Sequence, residues 1–171
     1  MNDKYKARCL KRLKEWEAPL EDWTCRQVVD TCEDEEDAVP MARCELCGCE
    51  KVRFLHVMEH QDFYEEIAVG CICAAVMEGD ELAALERDRK MKNRSKRRKN
   101  FVNHRWSRSY GRYYRTYQGH ELWSVPRGDH YEVRCDRRFV SSYKGEPITN
   151  TLSAIYAAFD LADPVEEVMH A

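Results

Sequence analysis

Residues 44–77 read CELCGCEKVRFLHVMEHQDFYEEIAVGCICAAVM, and the rest of the chain is understood from this stretch outward. It contains five of the nine cysteines and two of the six histidines. Cys44 and Cys47 form a C-x-x-C followed by Gly48, and Cys71 and Cys73 form a C-x-C after Gly70. Two close pairs of soft ligands from separate turns suit the tetrahedron that Zn²⁺ prefers. The glycines permit the backbone twists such turns need. The spacing therefore predicts a structural zinc site on Cys44, Cys47, Cys71 and Cys73. A C-x-C is tighter than the second C-x-x-C of treble clefs and zinc ribbons, so Cys49, His56 and His60 remain open as replacements for one of the four.

Between the cysteine pairs, VRFLHV (residues 52–57) and EEIAV (residues 65–69) alternate well enough for two strands. The small residues and Met after Cys73 open a helix. Knuckle, hairpin and helix in that order predict a treble-clef-like module, with an electropositive helix N-terminus favouring thiolate. His56-Val57-Met58-Glu59-His60 also matches H-x-x-E-H, an inverted zinc-protease pattern. A metal-dependent hydrolase on His56, Glu59 and His60 would need a helix there, whereas the preceding residues favour a strand.

N-terminal to this core, residues 3–17 predict a short helix on Tyr5, Cys9, Leu10, Leu13 and Trp16, ended near Pro19. WTCRQVV (residues 23–29) suits a strand. The run EDEED (residues 33–37) reads as a solvated acidic linker.

C-terminal to it, residues 71 to about 99 predict a long helix, with Gly79-Asp80 as a break and Asp80 capping the second part. Residues 87–115 carry 13 Lys/Arg and one acid, a formal +12 against −15 for the remainder. The overall charge of −3 hides this separation, and local charge decides which partners are attracted. Beyond Arg87 almost no apolar face is left, so a solvated basic helix and linker is expected. Cations there alternate with aromatics, which suits phosphate contact and base stacking. The candidate nucleic-acid contacts are Arg94, Lys96, Arg97, Arg98, Lys99, Arg105 and Arg108, with Trp106 for stacking. The last 50 or so residues predict strands at 122–125, 131–135 and 138–143, then a helix with Leu152, Ile155, Tyr156 and Phe159 on one face. Some DNA-binding domains use such a β-β-β-α shape, although fold alone does not give function.

The expected class is α+β, divided as 1–40 (helix, strand, acidic linker), 41–86 (zinc module), 87–118 (basic helix and linker) and 119–171 (β-β-β-α unit). At 35% charged residues the chain is rich in surface, and a thin core gains from a metal. No apolar run approaches membrane-span length. Unpaired, numerous cysteines and an N-terminus without an apolar signal core predict a reducing cytoplasm with metal binding instead of disulfides.

The motifs CELCG, HVMEH, VGCICA and KNRSKRRKNF resemble a group of small bacterial and phage-type proteins with no assigned activity, over residues 44–160. The resemblance implies that the zinc core and the basic helix travel as one unit. It also implies a mobile-element setting, in which an inhibitor or adaptor docking on a protein or nucleoprotein complex is a rival to a non-catalytic, zinc-stabilised nucleic-acid-binding protein.

Overall fold

The computed structural model describes residues 2–33, 35 and 38–170. Of the acidic run, Asp34, Glu36 and Asp37 lie outside the described residues. The protein is mixed α and β with antiparallel sheets. It divides into two compact units, Met1–Asn93 with Val168–Ala171, and Arg94–Glu167. Among the described residues no helix is long and apolar enough to cross a membrane.

The first unit begins with helix α1 (Asp3–Glu15), capped by the Asn2 side chain, which accepts from the Lys4 N–H at 3.0 Å. Its inward face carries Cys9 and Leu13. Strands β1 (Thr24–Asp30), β2 (Phe54–His60) and β3 (Phe63–Val69) form an antiparallel sheet in that order. β2 alternates as a half-buried strand should, with Phe54, His56 and Met58 inward. Helix α2 (Cys71–Glu78) follows at once and packs on β2 and β1, with α1 packed on α2. Gly79 ends α2 in the left-handed region at φ 76°, as a C-terminal glycine does. Asp80 then accepts from the Ala83 N–H at 3.0 Å and starts helix α3 (Glu81–Val102). The expected break at Gly79-Asp80 is thus present.

The basic segment differs from expectation. Residues 87–118 are not a solvated helix and linker. They supply the end of α3 and the strands β4 (Ser107–Ser109) and β5 (Arg112–Tyr117). With β6 (His120–Arg127), β7 (His130–Cys135) and β8 (Arg138–Val140) these make a five-stranded antiparallel meander, wider than the three strands the sequence predicts. A small hairpin, β9 (Ser142–Tyr143) with β10 (Glu146–Pro147), leads to helix α4 (Thr151–Ala162) and the short α5 (Val165–His170). Asn150 caps α4 through the Ser153 N–H at 2.8 Å. α4 lies on one face of the meander, and the core between them is built on Phe101, Leu122, Val133, Cys135, Ile148 and Phe159.

Arginines substitute for apolar residues on α3. Arg94 and Arg98 are 2% and 4% exposed, on the same face as the buried Phe101. Arg94 donates to the Asp163 carbonyl and to Asp160 Oδ1, both at 2.8 Å, and lies over the Phe159 ring. Arg97 grips the Asp163 carboxylate at 2.6 and 3.0 Å in a two-pronged pair. Arg98 donates to the Tyr143 hydroxyl at 2.8 Å and covers the Tyr156 ring at 3.9 Å. The helix is held by burial after all, because each guanidinium is paired or stacked as it leaves water. Truncating Arg94 removes its bonds to the Asp163 carbonyl and to Asp160, while Arg97 keeps the Asp163 carboxylate paired. Arg94→Ala is therefore expected to lower the opening free energy of the β6 and β7 amides by about 1.5–3 kcal/mol. Lys96→Ala, on the exposed side, should stay within about 0.5 kcal/mol. Native-state hydrogen exchange measures both.

Candidate metal centre

Residues 44–48 form the predicted knuckle. The Cys44 N–H donates to the Cys49 carbonyl at 2.8 Å, and the Gly48 N–H to the Cys44 carbonyl at 2.9 Å. Gly48 sits at φ +73°, a left-handed backbone that favours glycine, while the nearest neighbour of an added Cβ is the movable Arg43 guanidinium at 3.0 Å. The Glu45 N–H bonds the Ala68 carbonyl at 3.0 Å and fixes the knuckle to β3.

The structure brings Cys44, Cys47 and Cys73 together, with all three sulfurs within 4.8 Å of one another. Cys44 and Cys73 are fully buried and Cys47 partly so. Three thiols in this geometry can hold a metal ion. Cys71 is not in the set. Residues 71 and 73 both belong to the first turn of α2, and positions two apart on a helix point about 200° apart. The Cys71 thiol is instead raised by burial first and then by Asp88, with Lys92 opposing.

The residue that the spacing argument missed is Cys9. Its sulfur is 3.8 Å from that of Cys73, and it is 1% exposed on the inner face of α1. One turn earlier, the Tyr5 hydroxyl is 3.0 Å from the same sulfur. The available signal was the pair Tyr5 and Cys9, at i and i+4 on the apolar face of a helix, but no motif connects it to residue 73.

The electrostatics suit a cation. The Cys44 thiol is held down at about 5, chiefly by its hydrogen bond with Cys73 and, against burial, by the N–H groups of Cys47 and Gly70. Cys73 is pushed up by the same hydrogen bond and by burial. Together the two thiols hold one proton, leaving Cys44 as thiolate and Cys73 as its donor. A cavity of about 370 Å³, lined in part by Tyr5, Cys44, Cys73, Arg53, Asp88 and Lys92, gives access from solvent.

The other candidates lie elsewhere. Cys49 is exposed, with its thiol 3.5 Å from the Glu50 carbonyl. His56 and His60 lie on strand β2 and not on a helix, about 13 Å apart at ~3.3 Å per residue, so they share no metal. Glu59 points to the opposite face of the strand. The His60 ring packs on Trp23, and its Nδ1 accepts from the Asp62 N–H at 3.0 Å. His56 is wholly buried, with Nδ1 3.9 Å from Cys25 Sγ and Nε2 4.0 Å from Asp88 Oδ1. Burial pushes the Cys25 thiol up to about 11, so it is protonated at neutral pH. In the second unit His120, Cys135 and Asp136 also lie within 4.8 Å of one another. There His120 and Asp136 bond each other at 2.7 Å, and the Arg138 guanidinium 3.9 Å from Cys135 already supplies a cation.

The predicted nucleic-acid contacts separate into two groups. Lys96, Lys99, Arg105 and Arg108 are exposed. Arg94, Arg97 and Arg98 are engaged within the second unit as described, and Trp106 packs edge-on against Phe101 at 6.1 Å. No protein-family model matches the chain, and no curated protein or solved structure gives a significant match.

A metal entering this cluster displaces the Cys73 proton, so affinity should fall as pH falls, about tenfold per pH unit for each proton displaced. Competition with a chromophoric chelator at several pH values measures this. Cys44→Ser and Cys73→Ser are each expected to lose the ion, as read by metal content after gel filtration.

Proposed function

We propose that the protein is a non-catalytic single-stranded nucleic-acid-binding module whose first unit is stabilised by Zn²⁺. A small, buried, all-thiol set favours Zn²⁺ over harder cations. A knuckle, hairpin and helix around it are the parts of a treble clef. Bound metal would supply about 10 kcal/mol of folding free energy to a thin core, by analogy with zinc-finger peptides.

The observation that carries the binding reading is a row of side chains on the face of the meander away from α4. Register pairs Tyr114 with Trp123, Trp123 with Arg134, and Arg134 with Phe139, one residue from each of four adjacent strands. Four neighbouring strands span about 14 Å at ~4.8 Å spacing. Tyr114 and Trp123 stack at 5.0 Å and 29°, and Phe139 is 64% exposed. Arg112 lies two residues before Tyr114 on the same face. Glu132 holds the Arg134 guanidinium at 2.5 Å. Unit Arg94–Glu167 carries 14 Lys/Arg against nine Asp/Glu, a formal +5, although Arg94, Arg97, Arg98, Arg115 and Arg138 are engaged within the unit. Flat exposed rings beside guanidinium groups suit splayed bases and their phosphates better than a closed duplex. Lys96, Lys99, Arg105 and Arg108, all exposed, would contact the backbone.

The test is fluorescence anisotropy with labelled single- and double-stranded DNA and RNA at two salt concentrations. Single strands should bind, with log affinity falling against log salt by about 0.7 per phosphate contacted. Phe139→Ala and Trp123→Ala should each weaken binding about 5- to 150-fold, equivalent to ~1–3 kcal/mol per stacked base. Tyr64→Ala, a fully exposed aromatic in the first unit, should change nothing. Absence of binding at low salt would sink this reading and turn the search to a protein partner.

A further inference from the structure

We infer that the metal site is a closed tetrathiolate whose fourth ligand is Cys9, so that the ion ties helix α1 to the knuckle and to α2. This rests on the metal reading above and specifies its ligand set.

Four sulfurs bound at about 2.3 Å in a tetrahedron lie about 3.8 Å from one another. The Cys9 and Cys73 sulfurs stand 3.8 Å apart, which is that edge. Both belong to buried residues on α1 and α2, two helices already packed together. Cys9 is outside the set whose sulfurs all lie within 4.8 Å, so full coordination requires its sulfur to close toward those of Cys44 and Cys47. Cys9 and Cys47 also line one depression on the surface of the first unit, which places α1 and the knuckle on either side of it.

Cys71 lines the same cavity as Cys44, Cys47 and Cys73, but its sulfur is outside the three-sulfur set, and its place two residues before Cys73 on α2 sets it beside Asp88 and Lys92. Tyr5 completes the arrangement without being a ligand. Its hydroxyl is at hydrogen-bond distance, 3.0 Å, from the Cys73 sulfur, the role that an outer partner plays toward a bound thiolate. Tyr5 and Cys9 are one turn apart on α1, so a single face of the helix delivers a ligand and the group that orients another.

The competing arrangement is three thiolates with an open fourth position facing the cavity lined by Arg53, Asp88 and Lys92, filled by water. X-ray absorption on the zinc-loaded full chain separates the two. Four sulfurs near 2.3 Å in the wild type and also in Cys71→Ser are expected, with about three sulfurs and one oxygen in Cys9→Ser. Zinc affinity, by chelator competition, should fall about 100-fold or more in Cys9→Ser and about 10-fold in Tyr5→Phe, and stay within about twofold in Cys71→Ser. Per bound ion, the Co²⁺-loaded wild type should show thiolate charge-transfer absorption about one-third stronger than Cys9→Ser, as four thiolates against three. Three sulfurs and an oxygen in the wild type would overturn the assignment of Cys9 while leaving the metal centre. Loss of a sulfur in Cys71→Ser would restore Cys71 and overturn it equally. If the wild-type chain binds no metal, both this inference and the metal reading fail together.

Discussion

The first unit depends on the meeting of sulfurs from three separate stretches of chain. The knuckle brings Cys44 and Cys47, the start of α2 brings Cys73, and α1 brings Cys9 alongside. The same residues form the middle of the hydrophobic core, in contact with Leu13, Met58 and Val69. Thiols at that position make small apolar contacts, yet packed at this density they also share protons and repel as thiolates. A cation held there would resolve the conflict, neutralising the charge and fixing the angles between elements that short strands and a 13-residue helix only loosely define. Glycine at residue 48 and the helix N-terminus after Gly70 serve the same point, because each aims backbone N–H groups or a turn at Cys44.

The second unit solves a different problem. Its α3 face has few apolar residues, and arginine supplies the missing volume. A guanidinium is flat and weakly hydrated for a cation, so it can lie against Phe159 or Tyr156 while its edges meet carboxylates and carbonyls. Arg115 repeats the device from β5, stacked on Phe101 at 4.1 Å and donating to the Phe101 carbonyl at 2.9 Å. Lysine could not do this, since its ammonium carries a tighter hydration shell and no plane. The basic composition of residues 87–115 is thus partly structural.

This explains which features could be read from the sequence. Local signals held: the glycine-aspartate break between α2 and α3, with Asp80 as a cap, and the strands expected at 65–69 and 131–135, found as β3 and β7, are set by residues next to one another. The knuckle was legible for the same reason. Cys71 was chosen because a pair in sequence resembles a pair in space, and at a helical spacing of two its sulfur falls outside the three-sulfur set. Cys9 was invisible because its partner lies 64 residues away and nothing local marks the contact. H-x-x-E-H lost its meaning once the strand ran to His60, since the period of two spreads the histidines along the chain. In the basic segment a count of charges stood in for knowledge of their partners, and Asp160 and Asp163 lie more than 60 residues beyond Arg94 and Arg97.

Placing those arginines inside moves the surface chemistry of the second unit onto its strands. A strand buried on one side normally turns polar residues outward, and β5, β6 and β8 turn out Tyr114, Trp123 and Phe139 instead. Aromatic rings left together on an exposed face cost solubility, and large contiguous patches of this kind usually mark contact sites. The row is interrupted by Arg134, held by Glu132, so the face is neither a bare apolar patch nor a uniformly charged one. The row thus sets two stacked rings, a cation held by Glu132 and a further exposed ring along one line. Such a line would suit the splayed bases of a single strand, and it is turned outward because α4 lies on the other face of the meander.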